Sequence, residues 1–382
     1  MTDQHRVKRR IRNASAAALV TVLAVTTAAC QSDKPKASPA PAGQSSGASN
    51  KDSVDIGDVQ NFLSQVPNWS ADDWKKWAAK NGFKPEDIAK IKDFWDKKKP
   101  SDPTKSTEIT PDAPSIKDLT LPTPVKAKAQ PHPYSADTAV IGKVFFQAPD
   151  GPMVCSGTVV SDPAHPGKSN LVWTAGHCVH DGKGGDFFTN WMFAPGYNRS
   201  GVTSNGKKPE ITWAQAAPMG RWLATDMLIM PQWAKEGTKV GTAAMQFDFA
   251  VVRVAALDGS DRSLEETVGS SVPIWFGAKP DEITSPSGYG YPGAAPYNGE
   301  ELEHCDAPKL SPFVFDRSRP PMLAMGCTMT GGSSGGGWLT RQNGKTMLFS
   351  NVSIGDHVND WQAGPTLGPE AKKMFDAFVA KK

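Results

Sequence analysis

From about Ser135 onward the sequence predicts an all-β fold, a barrel or a sandwich, on two observations. Short runs of β-type composition recur between Gly, Pro and Asp: Val140 to Gln147, Ser156 to Val160, Leu171 to Thr174, Phe247 to Val254 and Leu348 to Ile354. No helical period stands between them, which argues against alternating βαβ units. A helix closes the chain instead: after Pro369, the residues Ala371, Met374, Phe375 and Phe378 share one face.

The preceding third of the chain reads differently, stretch by stretch. His5, Arg6, Lys8, Arg9, Arg10 and Arg12 form a positive start, followed by an apolar run from Ala14 to Ala29. That run is shorter than the roughly 20 residues a membrane span takes and suits an export signal over residues 1–30. It ends Thr27-Ala28-Ala29-Cys30, which resembles a bacterial lipobox and makes Cys30 the candidate lipidation site. Residues 31–53 lack large apolar groups and read as a flexible tether.

Residues 54–99 read as a small helical module. Ser70 suits an N-cap with Asp72 and Asp73 in the first turn, Gly82 ends that helix, and Pro85 opens another carrying Ile88, Ile91, Phe94 and Trp95. The spacing of Trp69, Trp74, Trp77 and Trp95 fits the core of a tiny bundle better than a ligand-binding cluster. Residues 100–134 carry proline throughout and read as a semi-rigid linker to the domain at 135–382.

Composition narrows the function classes. Forty-two basic residues against 39 acidic leave +3, much of it in the first dozen residues, so nothing points to a nucleic-acid partner. Five cysteines are an odd number for an exported chain. With Cys30 lipidated, Cys155, Cys178, Cys305 and Cys327 remain as an even set for disulfides.

The chemistry concentrates in three places. Gly332-Ser333-Ser334-Gly335-Gly336 sets a serine among glycines, which tolerate sharp turns and close backbone approach. Such a turn can expose Ser334 Oγ while aiming the Gly332 and Ser334 amides at one point, the arrangement of an oxyanion hole. Thr174-Ala175-Gly176-His177-Cys178 follows an apolar strand and offers a base, His177. A bridge from Cys155 to Cys178 would hold that imidazole still. Asp248, embedded in Phe247-Asp248-Phe249-Ala250-Val251-Val252, is an acid among apolar residues and needs a partner such as a histidine N–H.

Taken in this order, Thr-Ala-Gly-His-Cys, Asp-Phe-Ala-Val-Val and Gly-x-Ser-Gly-Gly resemble the chymotrypsin-fold, trypsin-like serine peptidases over residues 135–382. Gly142-Lys143-Val144-Phe145-Phe146 and Gly290-Tyr291-Pro292 are similar to the bacterial branch that includes glutamyl endopeptidases. The resemblance implies two six-stranded antiparallel barrels with the active site between them. It implies His177 and Asp248 from the first barrel, Ser334 from the second, and an oxyanion hole of the Gly332 and Ser334 amides. It also implies a Cys305–Cys327 disulfide, Thr328 at the pocket floor, and Ser353, Ile354 and Gly355 along the substrate backbone. The expected partner is a peptide or protein, the expected state a monomer, and no metal or cofactor is called for. Export is expected, either with membrane attachment through lipid at Cys30 or as a secreted protein.

Two departures bear on activation and specificity. Ser333 stands where trypsin has an aspartate that pairs with a new N-terminus, so activation by that ion pair is not expected. Thr328 replaces the pocket-floor aspartate, which removes the electrostatic reason to prefer Arg or Lys, leaving Asp356 as the nearest rival acid. Val352 stands where glutamyl enzymes have histidine, so cleavage after Glu is unsupported.

Other readings fit less well. Gly332 to Gly336 also matches the nucleophile elbow of α/β-hydrolases, which need acid and histidine after the serine; only Asp356-His357 follow. His177-Cys178-Val179-His180 lacks the helical spacing of zinc peptidases, and Asp181 to Asp186 reads as a glycine turn. A peptidase-like binding or scaffold protein remains as the alternative from another class.

Overall fold

The computed structural model describes residues 56–381 apart from 101, 103, 107–108, 112–117, 204–210 and 357. The leader, Cys30 and the tether expected over residues 1–53 lie outside the described residues.

Three helices come first: α1 (Ile56–Gln65), α2 (Ala71–Asn81) and α3 (Ile88–Asp96). Ser70 caps α2 reciprocally with Asp73, Oγ accepting from the Asp73 amide at 3.2 Å and the carboxylate accepting from the Ser70 amide at 2.9 Å. Pro85 does not open the next helix. Helix α3 begins at Ile88 because Asp87 supplies the capping oxygen, Oδ1 accepting from the Ala89 amide at 2.9 Å.

Trp74, Trp77 and Trp95 are buried, and Trp69 packs edge-on against Trp74 at 5.1 Å. The core they join is larger than a tiny bundle's. Trp95 meets Phe145 of the β-domain edge-on at 5.9 Å, and its Nε1 donates to the Asn190 carbonyl at 2.9 Å. One apolar cluster runs from these helices into the first barrel.

The strands are β1 (Lys105–Ser106), β2 (Lys128–Ala129), β3 (Ile141–Ala148), β4 (Gly151–Val160), β5 (Leu171–Thr174), β6 (Thr189–Pro195), β7 (Trp222–Ile229) and β8 (Ala250–Ala256). In the order β4-β3-β6-β7-β8-β5, with β5 pairing back to β4, six antiparallel strands close a barrel. Closure pairs the end of β4 with β5 and leaves only its first part as an edge. Within the proline-rich stretch, β1 adds to β4 in parallel and β2 adds to a later sheet.

The second half holds β9 (Ser287–Gly290), β10 (Glu303–Asp306), β11 (Ser311–Phe313), β12 (Met322–Gly326), β13 (Gly337–Gln342), β14 (Lys345–Asn351), β15 (Ile354–Gly355) and β16 (Trp361–Pro365). They form two antiparallel sheets, β14-β13-β9-β10-β2 and β11-β12-β16-β15. The C-terminal helix (Pro369–Val379) buries Ala371, Met374, Phe375 and Phe378, with Phe375 against Phe276 at 5.6 Å and Trp173 at 6.3 Å. The architecture is the all-β, chymotrypsin-like one that the resemblance implies, with a helical region before it and a helix after it.

A buried polar seam joins the halves. Lys143 of β3 is 3 % exposed, 3.7 Å from Glu300 and 4.5 Å over the Tyr197 ring. Trp173 of β5 donates to Asn351 Oδ1 at 3.0 Å. Disulfides join Cys155 to Cys178 and Cys305 to Cys327. Each closes a loop of the size for which chain entropy favours the folded state by roughly 3 kcal/mol.

Strand β10 also carries a group with a pH signature. Glu303 is buried near Glu301, and desolvation first, then repulsion from that neighbour, push its carboxyl up to about 7. A raised acid contributes stability fully below the ordinary carboxylate range and loses it as pH rises through its folded value. Glu303→Gln fixes the neutral form, so its Tm should exceed the wild type's at about pH 8 and match it at about pH 4. A variant no more stable than wild type in the alkaline scan would contradict this account of Glu303.

Candidate active site

The barrel register brings two distant residues together. Strands β5 and β8 run antiparallel with Thr174 opposite Ala250. His177, three residues beyond Thr174, and Asp248, two before Ala250, therefore emerge at the same barrel end. A short helical turn, Gly176–Cys178, aims the imidazole back at the acid.

Asp248 is fully buried and its carboxylate accepts three hydrogen bonds. Oδ1 takes the His177 amide at 2.8 Å, and Oδ2 takes His177 Nδ1 at 2.7 Å and Ser353 Oγ at 2.6 Å. A buried carboxylate tolerates desolvation only with such partners. Because Oδ2 accepts, Nδ1 carries the proton and Nε2 holds a lone pair. His177 is 4 % exposed, and its Nε2 bonds to no described residue.

The serine loop abuts this pair. Ser156 N of β4 donates to Ser334 O at 2.7 Å, and Gly335 N donates to Val352 O at 2.7 Å, so the loop is strapped to both halves. Cys178 Sγ lies 3.5 Å from Ser334 O. Gly335 has φ +80 and presses on the His177 turn so closely that a Cβ there would collide with Thr174 Oγ1. Gly332, at φ +98, leaves only 2.7 Å between an added Cβ and Tyr291 O. Its carbonyl accepts from Ser156 Oγ at 2.9 Å. Neither the Gly332 amide nor the Ser334 amide donates to a backbone carbonyl of the described residues.

Beside His177 opens a cavity of about 240 Å³ whose walls include Trp233, Phe188, Met153 and His180. His180 is pushed down to about 4, chiefly by burial, against the pull of Asp186 and Asp181. Its Nδ1 accepts from the Gly182 amide at 3.0 Å, which fixes the neutral ring. His180 is therefore silent across the neutral pH range.

The residues expected along a substrate divide. Ile354 is buried in β15, paired with Ala363. The Ser353 hydroxyl is committed to Asp248, a role with no local signal in the sequence. Thr328 Oγ1 accepts from the Ala127 amide at 2.9 Å and shares a 3.0 Å hydrogen bond with Tyr297. Asp356, the rival acid, caps its own turn, Oδ1 accepting from the Asp360 amide at 2.7 Å. Three side chains there, Cys155, His177 and Cys178, bring ligand atoms within 4.8 Å of one another, but the two sulfurs are bonded to each other and offer no thiolate.

No family model matches the chain, and no curated protein does either. Solved structures do. A thermostable serine protease, AL20, from an extremophilic microorganism is 30% identical with a TM-score of 0.51, over 65% of this chain and 100% of that one. The chain belongs to the trypsin-like serine proteases. A second solved structure, the protease Anisep from Arthrobacter nicotinovorans, is 29% identical with a TM-score of 0.51, over 67% of this chain and 100% of its own. Neither name points to the glutamyl endopeptidase branch. About a third of the chain lies outside each of these matches.

Proposed function

We propose that the protein is an exported serine endopeptidase that cuts peptide or protein substrates through Ser334, His177 and Asp248. The observation that carries this reading is His177, held through Nδ1 by a buried carboxylate with Nε2 unpartnered beside the Ser334 loop. Nε2 takes the proton of Ser334 Oγ as the oxygen attacks the scissile carbonyl. Negative charge then develops on the carbonyl oxygen, where the Gly332 and Ser334 amides donate to it. The imidazolium, stabilised by Asp248, returns its proton to the leaving amine, and the acyl group stays on Ser334. Water repeats the sequence with His177 again as base, releasing the acid and restoring the serine.

Gly355 and Ile354 line the acyl side of the substrate in this reading, and Thr328 lies at the pocket that receives the residue before the scissile bond. With a hydroxyl there and Asp356 turned to its own loop, that pocket suits an uncharged side chain. In this reading the apolar leader and Cys30 direct the protein out of the cell, on the membrane or free of it, and the two disulfides support an oxidising surrounding.

A small fluorophosphonate probe needs little more than the nucleophile, its base and the two amides. The wild type should be labelled on the peptide carrying Ser334, Ser334→Ala should not be labelled, and Ser333→Ala should still be labelled on Ser334, at a lower rate. An unlabelled wild type would favour the binding or scaffold reading. Labelling that survives Ser334→Ala and disappears in Ser333→Ala would move the nucleophile by one residue.

A further inference from the structure

The proposed mechanism needs the Gly332 and Ser334 amides held in place, and the loop carries no charge to do it. Ser333 stands before the nucleophile, and its hydroxyl donates to Thr330 O at 2.8 Å. What holds Ser333 in turn is Gln362 of β16, which is 2 % exposed. Gln362 Nε2 donates to Met329 O at 3.0 Å and to Ser333 Oγ at 2.8 Å. The nitrogen belongs on that side, because an amide oxygen there would face the lone pairs of the Met329 carbonyl. One uncharged side chain thus ties Met329 to Ser333, and through the Ser333 hydroxyl to Thr330, the residues that lead into the oxyanion turn.

We propose that Gln362 is a positioning residue that presets this turn without an ion pair; the proposal rests on the peptidase reading above. The test is the rate of fluorophosphonate labelling of the full chain as a function of pH. Wild type should show a single rising step. Gln362→Ala should label about tenfold more slowly or worse at every pH, with an unchanged probe concentration for half-saturation. Gln362→Glu keeps the shape but sets a carboxylate against the Met329 carbonyl once ionised. Its profile should turn bell-shaped, near wild type on the acid side and falling on the alkaline side. A loss of packing alone would not produce that second limb. A single rising step in Gln362→Glu, at a rate near wild type's, overturns the proposal; an unlabelled wild type overturns the peptidase reading instead.

The cleft also holds part of the protein's own chain. Lys105 and Ser106 pair in parallel with Met153 and Val154 of β4, just before Cys155. An added Cβ on Gly293 would lie 3.5 Å from Ser106 Cβ and 3.7 Å from Gly331 O, at the entrance to the serine loop. Ile109, 5 % exposed, joins His177 in lining the cavity. Its carbonyl accepts from the Gly355 amide at 3.2 Å. Beyond it, Thr110 O accepts from the Gly241 amide at 3.1 Å, and Pro111 bridges Gly241. The Gly355 amide is one donor, and while Ile109 holds it no substrate backbone pairs there.

Direction decides what this stretch is. The serine loop is strapped between β4 on one side and Val352 on the other. In the peptidase reading, with Gly355 on the acyl side, a substrate acylating Ser334 runs from the Gly355 side, N-terminal to the cut, toward β4. The protein's own chain runs the opposite way, with 105–106 at β4 and 109 at Gly355. At both ends of the cleft the described residues therefore run with the polarity opposite to a substrate's and occupy positions its backbone would take.

We infer that Lys105–Ser106 and Ile109–Pro111 form an inhibitory strand laid in the cleft against substrate direction. This too rests on the peptidase reading. Ile109→Asp places a carboxylate against Phe146, Phe188 and Trp233 in a cavity that Asp150 and Asp181 also line and where Lys239 is already paired with Asp150, so desolvation and repulsion expel the strand rather than the domain core. Turnover of a peptide of four or more residues should then rise about tenfold or more over the full-length wild type, because more molecules are binding-competent. Ile109→Gly should give a smaller rise in the same direction, and labelling of Ser334 by the small probe should change far less than turnover. Peptide turnover unchanged or lowered in both variants, with labelling intact, overturns the inhibitory strand. Absence of labelling in every form counts against the peptidase reading instead.

Discussion

The site hangs on one carboxylate. Asp248 lies at zero exposure, and three donors converge on it: the His177 amide, His177 Nδ1 and the Ser353 hydroxyl. A buried charge is sustained only if its lone pairs are used, so the three contacts stand together. Asn351 adds a fourth tie, its amide donating to the Asp248 carbonyl at 3.2 Å while its oxygen accepts from Trp173. Asp248 comes from the first barrel, and Ser353 and Asn351 come from the second half. The acid that orients the imidazole is thus also a joint between the two parts of the fold.

That joint explains why the rest of the architecture matters. The closed six-stranded barrel sets Thr174 opposite Ala250, which brings His177 and Asp248 to one rim. The Cys155–Cys178 disulfide pins the same turn to β4. The second half supplies a loop in which glycines at 332 and 335 pass too close to neighbouring backbone and side chains for any Cβ. Gln362 and Ser333 then fix that loop with neutral hydrogen bonds, which depend less on ionic strength than an ion pair would.

Much of this is legible in the sequence, for a physical reason. Short β-type runs and turn residues announce strands, and an acid inside an apolar strand or a serine inside a glycine turn breaks a local rule visibly. Thr-Ala-Gly-His-Cys carries its own context, a strand end, a turn and a disulfide. What is not legible lies across the chain. Ser353 reads as a substrate-lining residue because nothing nearby reveals a hydrogen bond to Asp248. Gln362 is a lone amide beside Trp361, silent until the loop it faces is known. Lys105, Ser106 and Ile109 sit among prolines, whose density reads as linker, although the backbone between them still pairs. Pro85 misleads in a smaller way: Asp87 supplies the cap, and the helix starts there.

The account's central claim is that His177 works as a base because Asp248 holds it. Asp248→Asn keeps the size of the group but replaces one acceptor oxygen with a donor, which faces an N–H or O–H and forces the wrong imidazole tautomer. The most direct test is the rate at which Ser334 reacts with a fluorophosphonate in wild type and Asp248→Asn, with both disulfides verified by peptide mapping. The account predicts a loss on the order of 10⁴-fold in a folded variant. A folded Asp248→Asn protein that labels at close to the wild-type rate would contradict it.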